Sequence, residues 1–158
     1  MSEIHPTAII SDNAEIGKNV KVGPYAVIED NVKIGDDCLI KNGANILPYT
    51  TIGKNCRIFQ HSVIGEIPQD LKFEGEQSET VIGDNTTIRE FVTINRGTKD
   101  REKTIIGNDC LLMAYVHVAH DCWLGDNVIL ANSATLAGHV TIEDWAILGG
   151  LFAVHQFV

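Results

Sequence analysis

Four of the six histidines, His117, His120, His139 and His155, lie beyond Lys103, the last of the twelve lysines and arginines. Imidazole is the side chain best suited to moving a proton near neutral pH. The neighbours of these histidines carry matching chemistry. Asp121 follows His120 and supplies a carboxylate, and Gln156 follows His155 and supplies an amide. Gly138 precedes His139, and its backbone N–H, with no side chain in the way, suits an oxyanion. This is equipment for general-base catalysis at a centre that develops negative charge. A phosphate gripped here would have to draw its cations from elsewhere, because Thr104–Val158 contains neither lysine nor arginine.

Residues spread over this much chain need a scaffold to bring them together. Every sixth residue from Ile4 to Ile64 is isoleucine, except for Val22. The frame resumes at Ile82, Ile88 and Ile94, and again from Ile106 to Val154. Four residues after each aliphatic comes a second inward candidate, usually small, as at Ala8, Val20, Ala26 and Ala44. All four cysteines, Cys38, Cys56, Cys110 and Cys122, occupy that slot, which predicts buried thiols in a reducing compartment. A period of six fits neither a helix nor a simple strand. It means a short strand and a turn, repeated, and the turn formers Gly, Asn and Asp follow the aliphatic in IGKN, IGDD, IGDN and LGDN. Three such sides close a triangular coil of roughly 18 residues. The chain is therefore predicted to be all-β, a parallel β-helix of hexapeptide repeats stabilised by stacking between coils.

Two polar, charged segments interrupt the frame, at about 66–81 and 99–105, and are predicted to protrude as loops. The same frame stacks the hexads that begin at Val118, Leu136 and Val154 on one side of the prism. His120, His139 and His155 then form a strip, one per coil, spanning on the order of 10 Å. His117 is placed at the corner beside His120.

Composition narrows the remaining choices. A net charge of −9 argues against broad nucleic-acid binding, and no apolar run is long enough to span a bilayer. MSEIHPTAII lacks the form of a signal peptide, so a cytoplasmic protein is expected. Two other readings stand beside the catalytic one. A trimeric β-helix metalloenzyme of the γ-carbonic-anhydrase type would bind zinc through histidines. However, His117 and His120 are separated by two residues where that family's pair is separated by four, and no histidine lies between His61 and His117. A structural β-helix polymerising through open ends would not be expected to carry a histidine strip and two charged loops. The chain ends in mid-hexad without a polar cover, which leads to the expectation that the natural protein continues.

Five segments outside the hexad frame, IPQDLKF, REFVTINRGT, HVAHDC, LAGHV and AVHQF, occur in that order. With them the whole chain resembles the hexapeptide-repeat acyltransferases that act on UDP-N-acetylglucosamine at the start of lipid A synthesis. The resemblance implies a single-stranded left-handed parallel β-helix over 1–158. It implies a homotrimer with the active site between neighbouring prisms, and a C-terminal helical domain, absent from this chain, that helps to hold the nucleotide phosphates and the carrier protein. It implies transfer of a 3-hydroxyacyl chain from the thioester of acyl carrier protein to the glucosamine 3-hydroxyl. His120 would be the general base, oriented by Asp121, and the Gly138 N–H would face the oxyanion. His117, His139, His155 and Gln156 would position sugar nucleotide and donor, and Gln69, Asp70 and Lys72 would contact the acceptor. No cofactor is expected beyond the carrier's phosphopantetheine thioester as co-substrate, no metal, and no covalent acyl-enzyme. The cations Arg89, Arg96, Lys99, Arg101 and Lys103 are candidates for meeting an acidic partner.

Overall fold

A computed structural model describes residues 1–158. Twenty-three short strands and no helix build a left-handed parallel β-helix with three faces. The chain visits the faces in rotation. The first face runs from Glu3–Ile4 to Ile147–Leu148, the second from Ile9–Ile10 to Ala153–Val154, and the third from Glu15–Ile16 to Thr141–Ile142. The first two faces have 8 strands each and the third has 7, every pairing parallel.

The hexad aliphatics point inward, and one continuous core of 31 residues runs from Val20 to Ile142. Each fully buried isoleucine contributes roughly 1.5–3 kcal/mol, realised only when the next coil covers it. The cysteines are free and buried, in the small-residue slot. Their thiols also satisfy backbone. Cys56 Sγ donates to the Gly83 carbonyl at 3.1 Å and Cys122 Sγ to the Ala137 carbonyl at 3.1 Å, both in the next coil.

Each coil turns its corners with a residue at positive φ, placed three positions after the aliphatic. Asn and Asp tolerate this conformation best, and they fill the corner between the third and first faces, with Asn55 at φ 56° and Asn127 at φ 57°. Regular coils repeat every 18 residues, so the Asn19 side-chain amide donates to Asp37 Oδ1, 18 residues on. Two coils are longer. Arg57 stacks on Thr87 across 30 residues and Thr93 on His117 across 24. The extra chain emerges from the corner between the second and third faces, over residues 67–78 and 96–102. Glu66 and Glu79–Val81, expected within the first loop, are strand. So are Lys103–Ile105, expected within the second. Parallel pairing explains the difference: Glu66 lies opposite Asn95, and Glu79–Val81 opposite Lys103–Ile105, so each loop stem extends a ladder.

Candidate active site

The histidine cluster sits where the second face turns into the third. His117 belongs to the strand His117–Val118, and the turn that follows carries His120 and Asp121. One coil on, Thr135–Leu136 leads to Gly138 and His139. Asp121 and His139 hold the positive-φ position of their turns, at 60° and 62°. Where the opposite corner repeats asparagine, this one stacks a carboxylate and an imidazole.

His120 and Asp121 are both buried. His120 Nδ1 donates to Asp121 Oδ2 at 2.8 Å, which fixes the tautomer and leaves Nε2 to face the loops. Asp70 Oδ2, from the first loop, lies 4.0 Å from that Nε2. The His139 ring meets His120 edge-on, with centroids 5.2 Å apart, and its other side stacks on Phe157 at 4.7 Å. His139 Nε2 lies 3.6 Å from Asp121 Oδ2 and 3.7 Å from Asp100 Oδ2. Burial opposes the Asp121 charge. Hydrogen bonds from His120 and from the hydroxyl and amide of Thr98 outweigh it and hold the carboxyl down at about 2. His117 is pinned by a 2.7 Å hydrogen bond between its Nδ1 and Thr93 Oγ1. Burial, assisted by the neighbouring His120, pushes its basicity below the ordinary range.

Gly138 lies directly against His120. A Cβ there would lie 2.6 Å from His120 Cε1 and 2.7 Å from Nε2, so only glycine lets the imidazole lie against this turn. Gly138 is a buried residue, and its N–H has no hydrogen-bond partner within the chain. The first loop brings Asp70 and Lys72, and the second brings Thr98 and Asp100, to the wall of a cleft of about 220 Å³. Gln69 and Lys72 are exposed. His155 and Gln156, one coil beyond His139, are exposed as well and make no hydrogen bond to the cluster. A larger, open hollow of about 520 Å³ lies on the first face, around Glu3, His5, Lys21 and Lys41, and none of the cluster or loop residues described above lines it.

Donor atoms of His120, Asp121 and His139 fall within 4.8 Å of one another, a grouping that could hold a metal ion. The hydrogen bonds argue against that use. Asp121 Oδ2 already accepts from His120 Nδ1 at 2.8 Å and from Thr98 Oγ1 at 2.6 Å, and a metal would have to displace one of them.

Four of the five candidate cations have partners within the chain. Arg89 pairs with Glu90, and Lys103 with Glu79. Arg96 lies over Tyr49 and Phe73, while Arg101 lies over Trp123 and donates to the Asp121 carbonyl. Only the Lys99 ammonium is without an ion pair or an aromatic partner. Thr93, Thr98 and Thr104, none of them singled out from the sequence, contact the cluster directly. Thr98 stands in the quoted segment REFVTINRGT, so its position was visible, but nothing in the local pattern pairs it with a residue 23 positions later.

A buried histidine, a buried carboxylate and a glycine thus meet at one corner of a hexapeptide β-helix, and known proteins share this scaffold. Residues 4–108 match the family described as the GMPPB C-terminal domain, a match that stops short of His117, His120, His139 and His155. Residues 103–138 match the bacterial transferase hexapeptide model of six repeats. The acyl-[acyl-carrier-protein]–UDP-N-acetylglucosamine O-acyltransferase of Janthinobacterium sp. (strain Marseille) is 55% identical, covering 99% of this chain and 60% of its own. The corresponding protein of Campylobacter concisus is 48% identical over 100% of this chain and 61% of its own. Among solved structures, UDP-N-acetylglucosamine acyltransferase from Campylobacter jejuni superposes with a TM-score of 0.94 at 49% identity, over 98% of this chain and 61% of that one. The chain belongs to the hexapeptide-repeat transferases and, within them, to the family of the UDP-N-acetylglucosamine O-acyltransferases. It spans about 60% of the length of the relatives it matches.

Proposed function

We propose that this protein transfers a 3-hydroxyacyl chain from the thioester of acyl carrier protein to the glucosamine 3-hydroxyl of UDP-N-acetylglucosamine, the first step of lipid A synthesis. The observation that carries the reading is the His120–Asp121 pair. With Nδ1 donating to a buried carboxylate at 2.8 Å, His120 presents a fixed, unprotonated Nε2. A sugar hydroxyl is a poor nucleophile until its proton leaves as the new C–O bond forms. His120 Nε2 takes that proton while the oxygen attacks the thioester carbonyl. Asp121 stabilises the imidazolium, and the unpartnered Gly138 N–H receives the oxyanion. Collapse breaks the C–S bond, and the imidazolium returns the proton to the departing thiolate. Asp70, 4.0 Å from Nε2, accepts from acceptor hydroxyl or amide groups beside the reacting oxygen. Gln69 and Lys72 on the same loop contact the acceptor. His117, His139, His155 and Gln156 position the sugar nucleotide and donor.

The absence of lysine and arginine after Lys103 supports a site completed by other chain, because the nucleotide phosphates need cations. A homotrimer with the site between neighbouring prisms supplies them. Two carriers of the reaction, a sugar nucleotide and a carrier protein, together with four free thiols, fit a cytoplasmic protein. No helix is long and apolar enough to cross a membrane.

The test is a transfer assay on the full natural chain with UDP-N-acetylglucosamine and 3-hydroxyacyl carrier proteins of several lengths. His120→Ala should lower turnover by about a hundredfold or more. A His120→Ala enzyme of undiminished activity overturns the assignment of the base.

A further inference from the structure

We propose that Thr98, in the second loop, is a positioning residue for the reaction, holding Asp121 so that His120 keeps its tautomer and orientation. The proposal rests on the reading of His120 as base and extends it to a segment that the sequence assigns only charge.

The contacts are unusually complete. Thr98 N donates to Asp121 Oδ1 at 2.9 Å, and Thr98 Oγ1 donates to Asp121 Oδ2 at 2.6 Å. The hydroxyl proton cannot turn elsewhere at low cost, because the same oxygen accepts from Asp100 N at 3.2 Å. The loop also holds the Asp121 backbone. Asp121 N donates to Thr104 Oγ1 at 2.9 Å, and Arg101 Nη1 donates to the Asp121 carbonyl at 3.1 Å. Main-chain N, main-chain O and both carboxylate oxygens of one residue are thus engaged by residues 98–104. Asp121 is wholly buried, so each of its polar atoms needs a partner within the protein. Beyond these contacts the carboxylate faces two imidazoles, His120 Nδ1–H at 2.8 Å and His139 Nε2 at 3.6 Å, with Asp70 and Asp100 facing the same rings from the loops.

A satisfied buried carboxylate does two things for its imidazole. It fixes the ring by keeping Oδ2 in place, and it limits how strongly Oδ2 attracts the imidazolium proton, because the Thr98 hydroxyl shares the same oxygen. Removing the hydroxyl should loosen the ring and also leave Oδ2 more negative toward Nδ1–H. The second effect has a sign. The imidazolium is favoured, so the acidic limb of the pH–kcat profile moves to higher pH.

The test replaces Thr98 in the full natural enzyme. Thr98→Val, of nearly the same shape, should lower kcat about tenfold while KM for UDP-N-acetylglucosamine changes less than about twofold, and should raise the acidic limb. Thr98→Ser, which restores the hydroxyl, should recover kcat to within about threefold of the natural enzyme. Should Thr98→Val not fold, Thr98→Cys gives the same reading with a weak donor. In a His120→Ala background the Thr98 substitution should cost less than about twofold further, because Thr98 acts through the base. An unchanged kcat and pH limb overturns the proposal. So does a loss that persists in full in the His120→Ala background, which would mark a merely structural role. If His120→Ala itself keeps full turnover, the base assignment fails, and the positioning role falls with it.

Discussion

Two corners of the prism use the same backbone turn for opposite ends. At the corner between the third and first faces, the positive-φ residues are Asn or Asp over six coils, and they stabilise one another. Asn55 Nδ2 donates to Asn85 Oδ1 at 3.0 Å. Beside them the preceding residues build a second ladder, with Lys54 N donating to Asp84 Oδ1 at 2.7 Å and Asn108 N to Asp126 Oδ1 at 2.7 Å. That corner is exposed and self-sufficient. At the corner between the second and third faces, Asp121 and His139 occupy the equivalent positions. Their partners come from outside the repeat, from the loops at 67–78 and 96–102. A repeat makes every corner geometrically equal. Only the side chains at the turn and an insertion above them turn one corner into a site.

The comparison can be broken, and the largest expected effect comes from the carboxylate. Asp121→Asn keeps a residue that tolerates positive φ but removes the charge behind the proposed base, so kcat should fall on the order of a hundredfold with the fold retained, read by turnover and far-UV spectra. Gly138→Ala comes next. Its methyl would press within 2.6 Å of His120, and turnover should drop about tenfold or more, with thermal stability changed by less than about 2 kcal/mol.

A pH titration of stability sharpens the contrast. The Asp121 carboxyl is depressed to about 2, so its contribution is complete above the ordinary carboxylate range and is lost as pH falls toward about 2. Acid unfolding of the natural protein should therefore steepen below about pH 4, and Asp121→Asn should flatten that limb. His117 adds a smaller term of its own. Its basicity is lowered by burial, so the folded state favours the neutral ring, and stability should decline as pH falls below about 6.5. The smallest effect belongs to the other corner: Asn55→Ala should cost about 1 kcal/mol of stability and leave turnover unchanged.

Much of this was legible along the chain. The hexad frame alone assigned the inward isoleucines, the buried slot of the four cysteines and the stacking of the His120, His139 and His155 coils, and each is present. The frame works because coil pairing is set by a constant residue count, so neighbours in space are written as a fixed interval in sequence. It fails where that interval is broken. Residues 66 and 79–81 were assigned to a loop because they leave the six-residue period, yet they are strand, since stems can pair without obeying it. The frame is equally silent on the cations named as candidates for meeting an acidic partner, four of which are engaged within the chain.

What the sequence by itself determined is the scaffold and which side chains share one corner of it, because a one-dimensional repeat converts spacing directly into position. What only the tertiary structure decided is how those groups are held. It brought Asp70 to within 4.0 Å of His120 Nε2, and it engaged both carboxylate oxygens of Asp121 through Thr98. Those contacts depend on the path of irregular loops, and a loop's path is set by the hydrogen bonds its exposed and buried ends can satisfy, which no local period records.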